Sequence, residues 1–209
     1  MSNRKKRSYI SESRKRLADN TRRRIFQSAK KLFKKKGFEF VTIEELARAA
    51  KVSVPTVYAL FQSKRGILRA LMDEAFPTDQ FEVLVEQGKE EKSAKKRLAI
   101  TASIVRHMYD AERELMDLFR GASMLAPEFK ELEKEREMRR YKRQEETVKA
   151  LKAKKSLIKG MSVTKARDIV WAFTGRDMYR LFVIERGWSS KEYEQWLAQL
   201  LVKTVIGSD

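Results

Sequence analysis

His107 is the only histidine of the chain, and there is no cysteine. A catalytic dyad or an imidazole–thiolate metal site needs partners that this sequence does not contain, and disulfides, thiolate catalysis and Cys-ligated metals are excluded. His107 is expected on a helix, facing a core or a pocket. The carboxylate pairs Glu44/Glu45 and Glu145/Glu146 are adjacent in sequence. On a helix such neighbours point in different directions, so they read as capping or solvated groups rather than an acid–base pair. No phosphate-binding glycine loop and no dinucleotide fingerprint occurs. Catalysis, a cofactor and a metal are therefore not expected. The residues that can do something specific are small and polar: Ser53, Pro55, Thr56 and Ala59 recur on one side of a short apolar run. Such a face can enter a DNA major groove, about 12 Å wide.

That run belongs to a pair of short helices. Thr42-Ile43-Glu44-Glu45 has the pattern of a capping box, with the hydroxyl and the Glu45 carboxylate satisfying free N–H groups reciprocally. Ile43, Leu46, Ala47 and Ala50 form the buried stripe, and the helix ends at Lys51-Val52. Ser53 caps the next helix, with Val54, Val57, Tyr58 and Phe61 on its inner side. Pro55 falls in its first turn, where a missing N–H costs nothing. Two short helices joined by a tight turn are a helix-turn-helix, here about residues 42–61, and Ala47 supplies the small residue at the crossing. An ordinary helical corner is the other reading. Upstream, Ile25, Ala29, Leu32 and Phe33 mark a helix starting near Asn20 or Thr21 and stopping at Gly37. Downstream, Ser63 caps a helix carrying Ile67, Leu68, Leu71 and Met72 inward.

Charge supports contact with a polyanion. Residues 1–76 hold 20 Lys/Arg against 7 Asp/Glu, and the remaining 133 hold 27 against 22. The excess is concentrated around the helix pair. Residues 1–18, with RKKR at 4–7 and RKR at 14–16, read as a mobile basic arm without apolar periodicity. It either enters a minor groove or only raises non-specific affinity. No apolar run follows this basic start, so neither a signal peptide nor a membrane span is expected, and a cytoplasmic location fits the absence of cysteine.

Residues 21–72 resemble the DNA-binding domain of the TetR (tetracycline repressor) family. The shared features are an R-I-x-x-x-A-x-x-L-F-x-x-x-G-F first helix, T-I-x-x-L-A-x-A-A, V-S-x-x-T-V-Y-x-x-F and a following S-K. The stretch WAFTGRDMYRLFVIERGWSSKEYEQWLAQLL also resembles the last helices of many members. Lys51 departs from the pattern, because members usually carry Gly at that left-handed turn. The resemblance implies an all-α fold: a three-helix head at 19–62 and a helical regulatory and dimerisation domain at 63–209. It implies that Thr42 caps the second helix and offers its N-terminus to a phosphate. Ser53, Val54, Pro55 and Thr56 would open the recognition helix, and Thr56 and Tyr58 would donate hydroxyls to phosphates. Arg22 and Lys64 would add cationic contacts. Tyr58 can alternatively be half-buried support.

Beyond Pro77, helices are expected near 79–90, 94–109, 112–122, 128–156, 163–186 and 190–206, with a capping box at Ser189–Glu192. The charged stretch Glu131 to Glu146 requires one solvated face. The resemblance implies a ligand cavity, with His107, Met108, Met124, Trp171, Phe173 and Met178 as candidate walls, although such residues are more often plain core. Ile169, Phe173, Phe182, Trp196, Leu197, Leu200 and Leu201 are the expected homodimer interface. The functional expectation is a repressor that binds double-stranded operator DNA and is released by a small-molecule effector. The alternatives are a chromosome-organising DNA binder without a switch, and a helical scaffold whose basic end meets an acidic protein or membrane surface.

Overall fold

The computed structural model describes residues 2–74, 79–125 and 127–207, and their side chains except those of 2–15, 79–80, 122–125 and 127–128. The elements are α1 (Ser2–Lys36), α2 (Ile43–Ala50), α3 (Val54–Phe61), α4 (Lys64–Glu74), α5 (Asp79–Glu90), α6 (Ala94–Glu112), α7 (Met116–Leu125), α8 (Pro127–Ala153), α9 (Val163–Phe173), α10 (Arg176–Tyr179) and α11 (Ser190–Val205). The fold is all-α. Among the described residues the one β feature is an isolated antiparallel bridge, Leu157 to Ile206. No described helix is long and apolar enough to cross a membrane. The chain forms two compact units, Met1–Ala75 with Leu115–Ala126, and Phe76–Glu114 with Pro127–Asp209.

In the first unit α1 begins far upstream of the expected start. Asn20 and Thr21 lie inside the helix, which is continuous from Ser2. Nothing between residues 2 and 20 breaks a helix: there is no Gly or Pro, and Arg, Lys, Glu, Leu and Ala are good helix formers. The segment expected as a mobile arm is thus the first part of α1. Gly37, at φ 86°, ends the helix as expected. The core of the unit is built from Ile25, Ala29, Phe33, Leu46, Ala47, Val57 and Phe61, all buried. Leu32 is only half-buried. Ile67, Leu68, Leu71 and Met72 close the same core. This moves α4 into the head, so the boundary expected at 62/63 falls too early.

In the second unit α11 lies along α6. Tyr193, Leu197, Leu201 and Val205 are wholly buried, as are Leu98 and Ala102 of α6. Arg106 on α6 donates to Glu194 on α11 at 2.6 Å. Leu197 and Leu201 therefore have no surface left for a second copy, which removes them from the expected dimer stripe. Ile169, Phe173, Phe182, Trp196 and Leu200 are each half-buried. Phe182 packs, tilted, against Trp196 and Trp188 with ring centroids 4.5 and 4.6 Å apart.

The helix expected over 163–186 is broken. It stops at Phe173, restarts at Arg176 and ends in a π turn, Arg180–Glu185. Polar side chains from α6 and α8 satisfy the carbonyls that the break exposes. Arg140 donates to Trp171 O at 2.7 Å, and Tyr109 OH to Thr174 O at 3.1 Å. The buried Thr174 hydroxyl donates to Val170 O at 2.6 Å and accepts from Arg140 at 2.9 Å and Gln144 at 2.5 Å. A buried backbone group left without a partner costs about as much as a lost hydrogen bond, so these side chains hold the break in place.

The candidate pocket residues do not share one environment. Met108 is core, and His107 sits on α6 with Nδ1 2.8 Å from Ser103 O. Trp171 is 37% exposed, with its indole N–H 3.0 Å from a Glu137 oxygen, so it lies at the surface. Phe173 and Met178 are half-buried, and the Met124 side chain lies outside the described residues.

Candidate nucleic-acid interface

α2 starts where a hydroxyl can replace the missing helical acceptor. Thr42 Oγ1 accepts from Glu45 N–H at 3.2 Å. The reciprocal half of the expected box is not formed. The Glu45 carboxylate pairs with the ammonium of Lys36, which holds its carboxyl below the usual range. A cation at the end of α1 is a stronger partner for a carboxylate than a neutral amide.

The turn between the two helices is made by a lysine. Lys51 adopts φ 54° and ψ 49°, the left-handed region. Its N–H meets Arg48 O at 3.1 Å, and Val52 N–H meets Ala47 O at 2.9 Å, which closes α2. For a residue with a Cβ this conformation costs about 1 kcal/mol.

Ser53 caps α3. Its Oγ lies 3.3 Å from Thr56 N and 2.7 Å from Thr56 Oγ1. The two hydroxyls at the front of the helix are therefore bonded to each other. Val57 and Phe61, four residues apart, take the core side, and Ala47 is buried at the crossing. Ser53, Pro55 and Ala59 are exposed, while Val54 and Thr56 are half-buried. Tyr58 is 47% exposed, which corrects its expected place on the inner side. Val57 and Phe61 already fill that side, and one residue's step around the helix carries Tyr58 outward.

The expected cations have local partners. Lys64 Nζ donates to Glu39 O at 3.0 Å and lies 4.6 Å from the Phe38 ring centroid. Lys64 thus ties the start of α4 to the loop before α2. The Arg22 guanidinium lies 5.0 Å from the Phe26 ring and 5.3 Å from the Phe61 ring at the end of α3. Arg23, Arg24, Lys31, Lys34, Lys35, Arg48 and Lys51 are exposed on the same unit.

Two residues escaped the sequence reading. Gly66 lies in the first turn of α4, where Ser63 Oγ accepts its N–H at 3.0 Å. A Cβ there would stand 1.9 Å from Phe61 O, so only glycine lets α4 start so close to the end of α3. The available signal was a glycine three residues after a capping serine. Phe40, in the loop before Thr42, is exposed over most of its surface. It does not extend the helical spacing of either neighbour.

Residues 25–71 match the family described as bacterial regulatory proteins, tetR family. The chain is 37% identical over 54 residues to YvkB, an HTH-type transcriptional regulator of Bacillus subtilis; this covers 26% of the chain and 29% of that relative. The fold is similar to that of a Saccharomonospora viridis protein solved in complex with choline, with TM-score 0.68, 20% identity, and 90% and 98% of the two chains covered. It is also similar to SmeT solved with triclosan, with TM-score 0.71, 16% identity, and 90% and 92% covered.

Proposed function

From a chain whose residues 25–71 match the tetR family of bacterial regulatory proteins, we propose that the protein is a sequence-specific DNA-binding transcriptional regulator. The observation that carries the reading is α3: a capped helix with exposed Ser53, Pro55 and Ala59 and a core-facing Val57–Phe61 side. Base edges specify sequence, and phosphates fix position. Ser53, Val54, Pro55 and Thr56 approach the bases, while Thr42, Tyr58, Arg22 and Lys64 serve the phosphates. To reach a phosphate, Lys64 must leave or share the Glu39 carbonyl.

A homodimer would place two such helices about 34–36 Å apart, matching successive turns of the major groove. Its interface would use the half-buried aromatic surface of Phe182 and Trp196 with Leu200. The fold neighbours solved in complex with choline and triclosan support a small-molecule effector held by the second unit. Such an effector shifts DNA binding only through its different affinities for the two conformations. The length of basic helix upstream of the head favours a second reading, a DNA-organising protein without a switch.

Selection of duplexes from a randomised pool by the full-length protein separates these readings. Recovery of a palindromic motif that survives excess random DNA is the result expected. Recovery without any motif would support the organiser, and no recovery would remove DNA from both.

A further inference from the structure

The buried stripe of α1 continues upstream in a different chemistry. Ile25, Ala29 and Phe33 face the core of the head. An α-helix turns about 100° per residue, so steps of three and four keep one face. Stepping back from Ile25 along the continuous helix gives Arg22, Ala18, Lys15, Arg14, Ser11, Arg7 and Arg4. This face holds five cations and no acid. Glu12 and Asp19, the only acidic residues between 2 and 20, fall on another side. At the junction the Arg22 guanidinium already lies against Phe61 of α3. The apolar stripe that seats α1 on the head thus becomes a cationic stripe where the helix runs past it.

We propose that the Arg4–Arg7–Arg14–Lys15 face of α1 docks on DNA flanking the site read by α3, as a helix in fixed register rather than as a diffuse cationic tether. This rests on the DNA-binding reading above. Residues 2–21 span about 30 Å at 1.5 Å per residue. That length reaches about nine base pairs at 3.4 Å each. Tyr9, Ile10 and Leu17 are the only large apolar residues of the segment, too few to form the apolar face that a membrane surface requires.

The test compares two full-length triple variants that remove the same charge. Arg7→Ala, Arg14→Ala and Lys15→Ala strip the proposed face; Lys5→Ala, Lys6→Ala and Arg16→Ala strip the opposite one. The probes are a duplex carrying the motif selected by the unmodified protein with ten flanking base pairs on each side, and the same motif without flanks. On the flanked duplex the first triple is expected to lose at least tenfold in affinity, and its salt slope to fall by about 2.7. The second triple should lose less than threefold. On the trimmed duplex the two should bind alike. Equal losses in both triples, or a loss that ignores the flanks, would overturn the proposal while leaving motif-specific binding intact. Failure to select any motif would instead overturn the reading on which it rests.

Discussion

Gly66→Ala tests whether the head depends on the close approach of α3 and α4. The new Cβ would stand 1.9 Å from Phe61 O and 3.0 Å from Phe61 C, both backbone atoms. Ordinary contact needs about 3.4 Å, and neither atom belongs to a flexible side chain, so helix must move against helix by more than 1 Å. Overpacking of this kind costs roughly 1–3 kcal/mol. Phe61 O also accepts the Ser63 N–H at 2.7 Å, and disturbing that bond adds about 1 kcal/mol. The expected loss is therefore about 2–4 kcal/mol. For a chain of this size that corresponds to a melting-point drop of roughly 4–16 °C. Gly121→Ala in α7 is the control: among the described residues its Cβ meets nothing within 4 Å, and better helix propensity should stabilise by up to about 1 kcal/mol. Calorimetry and urea unfolding of both variants give the answer. DNA affinity measured well below the melting point should also fall for Gly66→Ala, because the end of α3 is displaced. A Gly66→Ala protein that melts with the unmodified chain would refute the argument.

Lys51→Gly should stabilise the head by up to about 1 kcal/mol in urea unfolding, because glycine adopts the left-handed turn without a Cβ penalty. Thr56→Ala and Lys64→Ala should each cost about 1 kcal/mol, since each loses one side-chain hydrogen bond, while both lower DNA affinity in a gel-shift titration. Lys64→Ala should weaken all DNA sequences alike, since a phosphate carries no sequence information. Leu200→Glu should give a folded monomer by light scattering, whereas Leu197→Ala should destabilise the protomer itself by about 2–5 kcal/mol. Burial pushes the pKa of Tyr109 and Tyr193 above the usual tyrosine range, and burial with a hydrogen bond to Asp110 pushes that of Tyr179 up to about 12. The unfolded chain then loses these protons first as pH rises past 10. Stability should fall by up to about 1.4 kcal/mol per pH unit for each tyrosine, and the share of tyrosinate absorbance that these three contribute should appear only with unfolding.

The head was readable because its signals are local. Ser53, Thr42 and Ser63 each sit one position before the helix they cap, and each hydroxyl satisfies a backbone N–H within three residues. The start of α1 was misplaced for the opposite reason: Asn20 and Thr21 resemble caps, but capping matters only where the preceding residues leave the helix. The second unit hid its organising residues because they are polar. Glu133, Arg136, Glu137, Arg140 and Gln144 recur at helical spacing on α8, a stripe that periodicity of apolar residues does not detect. Arg176 bonds Glu133 at 2.7 Å and the fully buried Glu112 at 3.3 Å, and Arg136 pairs with Glu112 as well. Arg140 and Gln144 meet at Thr174. The expected solvated face of α8 is real, since Lys134 and Lys142 are exposed, but Glu133, Arg136, Glu137, Arg140, Arg143 and Glu145 of the same helix are half-buried.

The polar groups proposed to meet DNA are not idle in the free head. The Ser53 and Thr56 hydroxyls hold each other, Lys64 holds the Glu39 carbonyl, and Arg22 lies over two aromatic rings. Binding is then an exchange of partners. A net hydrogen bond gained by exchange is worth only about 0.5–1.5 kcal/mol, and one to a charged phosphate about twice that. This bounds what any single contact can supply and makes the arrangement of contacts decisive. Arrangement is set by the features that allow no tolerance: the Gly66 approach, the left-handed Lys51 and the Val57–Phe61 seating of α3. Specificity in such a head comes from how rigidly α3 is presented. Affinity comes from how many cations reach phosphates at once, and there the proposed docking of the long basic α1 would add what the short α3 cannot.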